Sequence, residues 1–115
     1  MDKAKETKIK KVISKYKKIF ENIPDKQKPF AEKLYSRAAF MDVTLDDLQE
    51  RVNTDGPVIK TINGNGFETT LEHPAQKSYN TMIKNYNSTI KALIDLLPED
   101  EDGDELTRFL SRDLK

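Results

Sequence analysis

The 115-residue chain contains no cysteine and no tryptophan, a single histidine, and no excess of charge of either sign. The lack of cysteine excludes disulfides, thiolate metal sites and cysteine nucleophiles together. The lone His73 leaves a histidine-based metal site or proton relay without a second member. No apolar run approaches the roughly 20 residues of a membrane span. The N-terminal lysines are not followed by the apolar stretch of a signal peptide. There is neither a G-x-x-x-x-G-K-[ST] loop nor a G-x-G-x-x-G turn between strand and helix, so the chain carries no ATPase signature. These absences point to a soluble intracellular protein of one domain, without catalytic residues, metal or cofactor. A compact fold of this length buries roughly 67% of the surface of its unfolded chain.

The zero net charge conceals an asymmetry. Residues 1–20 hold eight lysines against Asp2 and Glu6, whereas residues 98–115 hold seven acids against Arg108, Arg112 and Lys115. A cationic end suits a polyanion and an acidic end suits a different partner. Head-to-tail contact between copies would use the same asymmetry.

Ile9, Val12, Ile13, Tyr16, Ile19 and Phe20 share one helical face, which predicts a basic helix at about 4–21 within an N-terminal segment 1–22. Ile23-Pro24 closes it. Phe30, Leu34, Ala38, Met41, Leu45, Leu48 and Val52 repeat every three or four residues. They predict a second helix at about 25–53, roughly 43 Å long at 1.5 Å per residue. Pro29 is tolerable there only near the first turn.

Two β-prone runs then flank Asn63-Gly64-Asn65-Gly66, which reads as a hairpin over 57–71 with Asn-Gly supplying the positive φ of a tight turn. An isolated hairpin is marginal, so it is expected to pack on a helix or to add to a neighbouring copy's sheet. Ala75, Tyr79, Met82, Ile83, Tyr86, Ile90, Leu93, Ile94 and Leu97 predict a third helix at about 74–97, with Pro74 at its first position. Two long helices of matched length joined by a hairpin should lie antiparallel, making residues 23–98 the core. Residues 99–115 form an acidic linker and a short amphipathic segment whose Leu106, Phe109 and Leu110 sit at i, i+3 and i+4. So short a segment folds only against a partner or its own core.

The fold class expected is therefore mainly α: two long antiparallel helices, a basic N-terminal helix and a small β-hairpin, completed by self-association. The expected seam is helix 2 or helix 3, through Leu34, Met41, Leu45, Leu48, Tyr79, Met82, Ile83, Tyr86, Ile90 and Leu93. A monomeric three-helix bundle is the plain alternative. Asn80, Asn85 and Asn87 are weak helix formers that either fix register at an interface or are simply solvated. Lys8, Lys11, Lys15 and Lys18 form a row on the first helix, widened by Lys10 and Lys17. Like charges at this spacing oppose helix formation by a few tenths of a kcal/mol per pair, and an opposing anion relieves them. DNA phosphate is the functional candidate and a solubilising face the ordinary one. Lysine contacts of this kind are salt-sensitive and carry little base information. Asp46, Asp47 and Glu50 read as solvated acids, and His73 as a loop residue before Pro74.

From Phe30 to Pro98 the chain resembles the small terminase subunits of phages of Gram-positive bacteria. Phe30-Ala31-Glu32-Lys33-Leu34 and Ala38-Ala39-Phe40-Met41-Asp42-Val43-Thr44-Leu45 look like that family's long central helix. The Asn-Gly hairpin follows, then His73-Pro74-Ala75, Tyr79-Asn80-Thr81-Met82-Ile83-Lys84-Asn85-Tyr86 and Leu93-Ile94-Asp95-Leu96-Leu97-Pro98. The family more often has Asn where His73 stands. The resemblance implies a viral DNA-packaging protein in the cytoplasm of the infected bacterial host. Such a subunit forms a ring, binds double-stranded DNA and delivers it to a separate large subunit that holds the ATPase and nuclease. On this expectation the helix 1 lysines meet DNA, and Leu106, Phe109 and Leu110 dock the large subunit. The alternative is an oligomeric structural adaptor or scaffold of virion assembly with no DNA contact.

Overall fold

The computed structural model describes residues 2–97 and Leu110. Helix α1 spans Lys3–Ile19 and a single 3₁₀ turn covers Asp25–Gln27. Helix α2 is Lys28–Asp55, strands β1 and β2 are Val58–Ile62 and Glu68–Glu72, and helix α3 is Pro74–Leu96. Within the protomer the expected architecture is present: mainly helical, with three helices and an antiparallel two-strand hairpin between the two long ones.

Each boundary has a local cause. The Asp2 carboxylate accepts the Ala4 N–H at 3.1 Å, capping α1. Pro29 falls in the first turn of α2, where its missing donor costs nothing. Gly56, at φ +84°, ends α2 by sending its N–H to the Val52 carbonyl at 2.7 Å. His73 is more than the loop residue expected. Its Nδ1 accepts the Ala75 N–H at 2.9 Å and so caps α3. Its Nε2 lies 3.0 Å from Asp55 Oδ2. The ring thus carries its proton on Nε2 and ties the start of α3 to the end of α2.

Helix α2 is the middle layer, with α1 and α3 both packed on it. Its buried positions are Ala31, Tyr35, Ala38, Ala39, Val43 and Leu45, which only partly matches the single stripe read from spacing. Phe30, expected inside, is 56% exposed. A helix contacted from two sides buries a wider arc than one stripe, and alanines on that arc let both neighbours approach closely. The core joins Ala31, Tyr35, Ala38 and Ala39 to Tyr16, Ile19, Phe20 and Ile23 from the first helix and its turn, and to Leu93 and Leu97 at the end of α3. Tyr16 and Tyr35 stack with ring centroids 6.0 Å apart and planes 8° from parallel.

The hairpin differs in two respects from expectation. The strands pair antiparallel with Val58 opposite Glu72 and Ile62 opposite Glu68, but the loop is not a two-residue Asn-Gly turn. Gly66 donates to the Asn63 carbonyl at 3.0 Å, and Asn63 N–H donates to the Phe67 carbonyl at 2.9 Å. Among the four loop residues only Gly66 has positive φ, at +82°. This is a three-residue loop, a type I turn closed by a glycine bulge. The Asn63 side chain stabilises it by accepting from the N–H groups of Asn65 and Phe67. The hairpin also does not pack broadly on a helix. It makes only slight contact with the helical layers and leaves Val58, Ile62, Phe67 and Leu71 open.

Two outcomes follow. Leu93→Ala, at a wholly buried site, should cost about 2–5 kcal/mol in chemical denaturation. His73→Ala should cost about 1 kcal/mol, whereas His73→Asn, which retains a capping side chain, should recover most of that loss.

Candidate nucleic-acid interface

The six lysines proposed for phosphate contact do not form one surface. Lys8, Lys11 and Lys15 border a groove with Val12 of α1 and with Asp42, Val43, Asp46 and Asp47 of α2. Carboxylates of this chain thus border the same groove as half of the row. Val12 and Val43 line the floor of this groove, and Asp46, expected as a solvated acid, is exposed at it. Lys17 borders a second cleft, at the α1–α2 turn, with Phe20, Glu21, Lys28, Ala31, Glu32 and Tyr35. All six lysines are exposed, and Lys10 and Lys18 border neither cleft. Lys5 lies 5.0 Å over the ring of Phe40, a cation–π geometry.

Beneath the aspartate groove lies the least exposed polar contact described. Tyr16 is fully buried, and its hydroxyl donates to Asp42 Oδ2 at 3.0 Å. The Tyr86 phenol of α3 shares a hydrogen bond with the same hydroxyl. Burial, and after it the negative charge of Asp42, pushes the Tyr16 phenol far above its ordinary value. Burial, followed by the charge of Glu32, pushes the Tyr35 phenol upward as well. A phenol held protonated in this way is a structural donor and not a nucleophile or base. Among the described residues no group of histidine and carboxylate side chains is arranged to hold a metal ion.

The residues expected at an oligomer seam also divide. Leu45 and Leu93 lie buried inside their own protomer and are not available to a second copy; Leu93 belongs to the core shared by the three helices. Leu34 and Ile90 pack against the same core. Leu48, Tyr79, Ile83 and Tyr86 are half-buried. Met41 and Met82 line an open groove between α2 and α3 with Thr81 and Asn85, which continues past Phe40 and Arg37. Of the three asparagines on α3, Asn85 faces this groove, Asn80 donates to Glu72 at 3.4 Å, and Asn87 is exposed. Leu106 and Phe109 lie outside the described residues. Leu110, expected on a detachable docking segment, packs against this chain's own core.

Among the described residues no helix is long and apolar enough to cross a membrane. Compared with protein-family models, with curated proteins and with solved structures, the chain finds no match in any of the three.

The tyrosine network makes an alkaline prediction. The unfolded tyrosine value is about 10, and both shifted phenols sit higher in the folded chain. Their contribution to stability is whole below about pH 10 and is lost as pH rises above it, because the unfolded state then releases protons more readily. Urea midpoints should fall through this range, and Tyr16→Phe should flatten the fall. At neutral pH the same substitution should cost about 1–2 kcal/mol, by leaving Asp42 without its donor.

Proposed function

We propose that the protein is a non-catalytic, oligomeric DNA-binding subunit of a viral packaging machine, a terminase small subunit. It acts in the cytoplasm of the infected bacterial host and delivers double-stranded DNA to a large terminase subunit bearing the ATPase and nuclease. The observation that carries this reading is the basic helix: α1 holds lysines on several sides, and Lys10 and Lys18 remain exposed and clear of the α2 aspartates. The order of elements, with a long helix, an Asn-Gly hairpin and a matched return helix, supports it by agreeing with the family resemblance. Few phosphate contacts per subunit make weak binding, and a ring of subunits turns them into useful avidity.

The division of the lysines assigns their roles. Lys10, Lys17 and Lys18 meet phosphate, while Lys8, Lys11 and Lys15 neutralise Asp42, Asp46 and Asp47 and hold α1 on α2. One observation favours the second reading, an assembly adaptor without DNA contact: Lys8, Lys11 and Lys15 share a groove with aspartates and Lys17 shares a cleft with Glu21 and Glu32.

A gel shift at low salt separates the two. Lys10→Glu/Lys17→Glu/Lys18→Glu should abolish binding and leave thermal stability within about 0.5 kcal/mol, as surface changes do. Lys8→Glu/Lys11→Glu/Lys15→Glu should lower stability. A wild-type chain that shifts no DNA at low salt establishes the adaptor instead.

A further inference from the structure

The hairpin carries unused binding capacity of two kinds. Its apolar side chains are open: Val58 is 53%, Ile62 72%, Phe67 70% and Leu71 50% exposed. Its backbone is open as well. Among the described residues the sheet has two strands. The bonds from Asn63 N–H to the Phe67 carbonyl and from His73 N–H to the Pro57 carbonyl fix the phase of the ladder. With that phase, the N–H and C=O groups of Val58, Lys60 and Ile62 point outward from β1, and those of Glu68, Thr70 and Glu72 outward from β2. Each edge is a template for another strand.

The charges on these edges differ. The outward row of β1 is Val58, Lys60 and Ile62, and that of β2 is Glu68, Thr70 and Glu72. Pairing β1 with a second β1 about a two-fold axis through its centre sets Lys60 against Lys60. Pairing β2 with β2 in the same way sets Glu68 against Glu72 twice. Like charges directly opposite destabilise a strand pair. Pairing β1 with the β2 of another copy sets Lys60 opposite Thr70 with a glutamate on either side, or, shifted by two residues, directly opposite a glutamate. Lys60 already shows this preference within the chain, where its Nζ lies 3.5 Å from Glu68 Oε1 while both side chains remain largely exposed.

We propose that the hairpin is the joint between copies of this chain, with β1 of one protomer adding antiparallel to β2 of the next. This deepens the assembly proposed above and rests on it. A contact between two different edges is head-to-tail, and head-to-tail contacts close into rings when the rotation permits. The repeated hairpins then form one continuous meander in which no edge is left open. The joint is made by the hairpin edges, and the hairpin is tied to the helical layers at its base through Glu72 and His73.

The test is native mass of the full chain in solution, with circular dichroism to show that the helices are intact. Lys60→Glu should reduce the mass at least about two-fold, and Lys60→Glu/Glu68→Lys/Glu72→Lys should restore it by exchanging the two edges. The chain has no native cysteine, so single-cysteine variants report the pairing directly. Lys60→Cys mixed with Thr70→Cys should give a mixed disulfide dimer on oxidation, while neither alone should cross-link. Self-cross-linking of Lys60→Cys overturns the head-to-tail arrangement. A wild-type oligomer whose mass none of the charge variants changes overturns the hairpin joint and leaves the assembly standing. A wild-type chain that stays monomeric at high concentration overturns both.

Discussion

The bond from the Tyr16 hydroxyl to the Asp42 carboxylate is the contact around which the helices are arranged. A phenol with no solvent exposure must find a partner within the protein, or burial costs more than the ring contributes. Asp42 on α2 and Tyr86 on α3 supply that partner together, so one hydroxyl from α1 sets the positions of both long helices. The ring of the same residue stacks on Tyr35, and Phe20 packs tilted against that ring with centroids 6.0 Å apart. Apolar packing alone would let α1 slide along α2. A directional bond in the middle of the packing removes that freedom.

Fixing α1 in this place also sorts its charges. Once Tyr16 faces α2, Lys8, Lys11 and Lys15 stand over Asp42, Asp46 and Asp47, and Lys10 and Lys18 stand away from them. A dense row of lysines on one helix is tolerable because its repulsion is offset locally. What remains unmatched is smaller and better placed than the full row, which suits weak contacts multiplied over copies.

Much of this fold was legible in residue spacing. The three helices start and stop within a few residues of the positions read from apolar periodicity, because prolines at 24, 29 and 74 and Gly56 leave few choices for where a helix can begin or end. The hairpin was legible from its turn residues, although not its turn type. Asn63 acts there through its side chain, and Gly66 rather than Asn supplies the positive φ. The candidate site was legible as a set of lysines but not as a surface. Whether a lysine faces solvent or an aspartate depends on the rotation of α1 against α2, and helix periodicity carries no information about that angle. His73 was legible as the loop residue before Pro74, but its contact with Asp55, eighteen residues away, was not.

By itself the amino-acid order determined the number, length and type of elements, the absence of metal-binding and nucleotide-binding signatures, and the concentration of lysine at one end. Those are consequences of local sterics, hydrophobic periodicity and composition, which act within a few residues of each other. The tertiary structure alone decided which lysines share a groove with carboxylates, which leucines are buried inside the protomer, and that no other described strand pairs with the hairpin. These depend on how helices far apart in sequence settle against one another. Burial of Tyr16 and the close fit over Ala31, Ala38 and Ala39 select that arrangement, and neither is expressed in the spacing along any single helix.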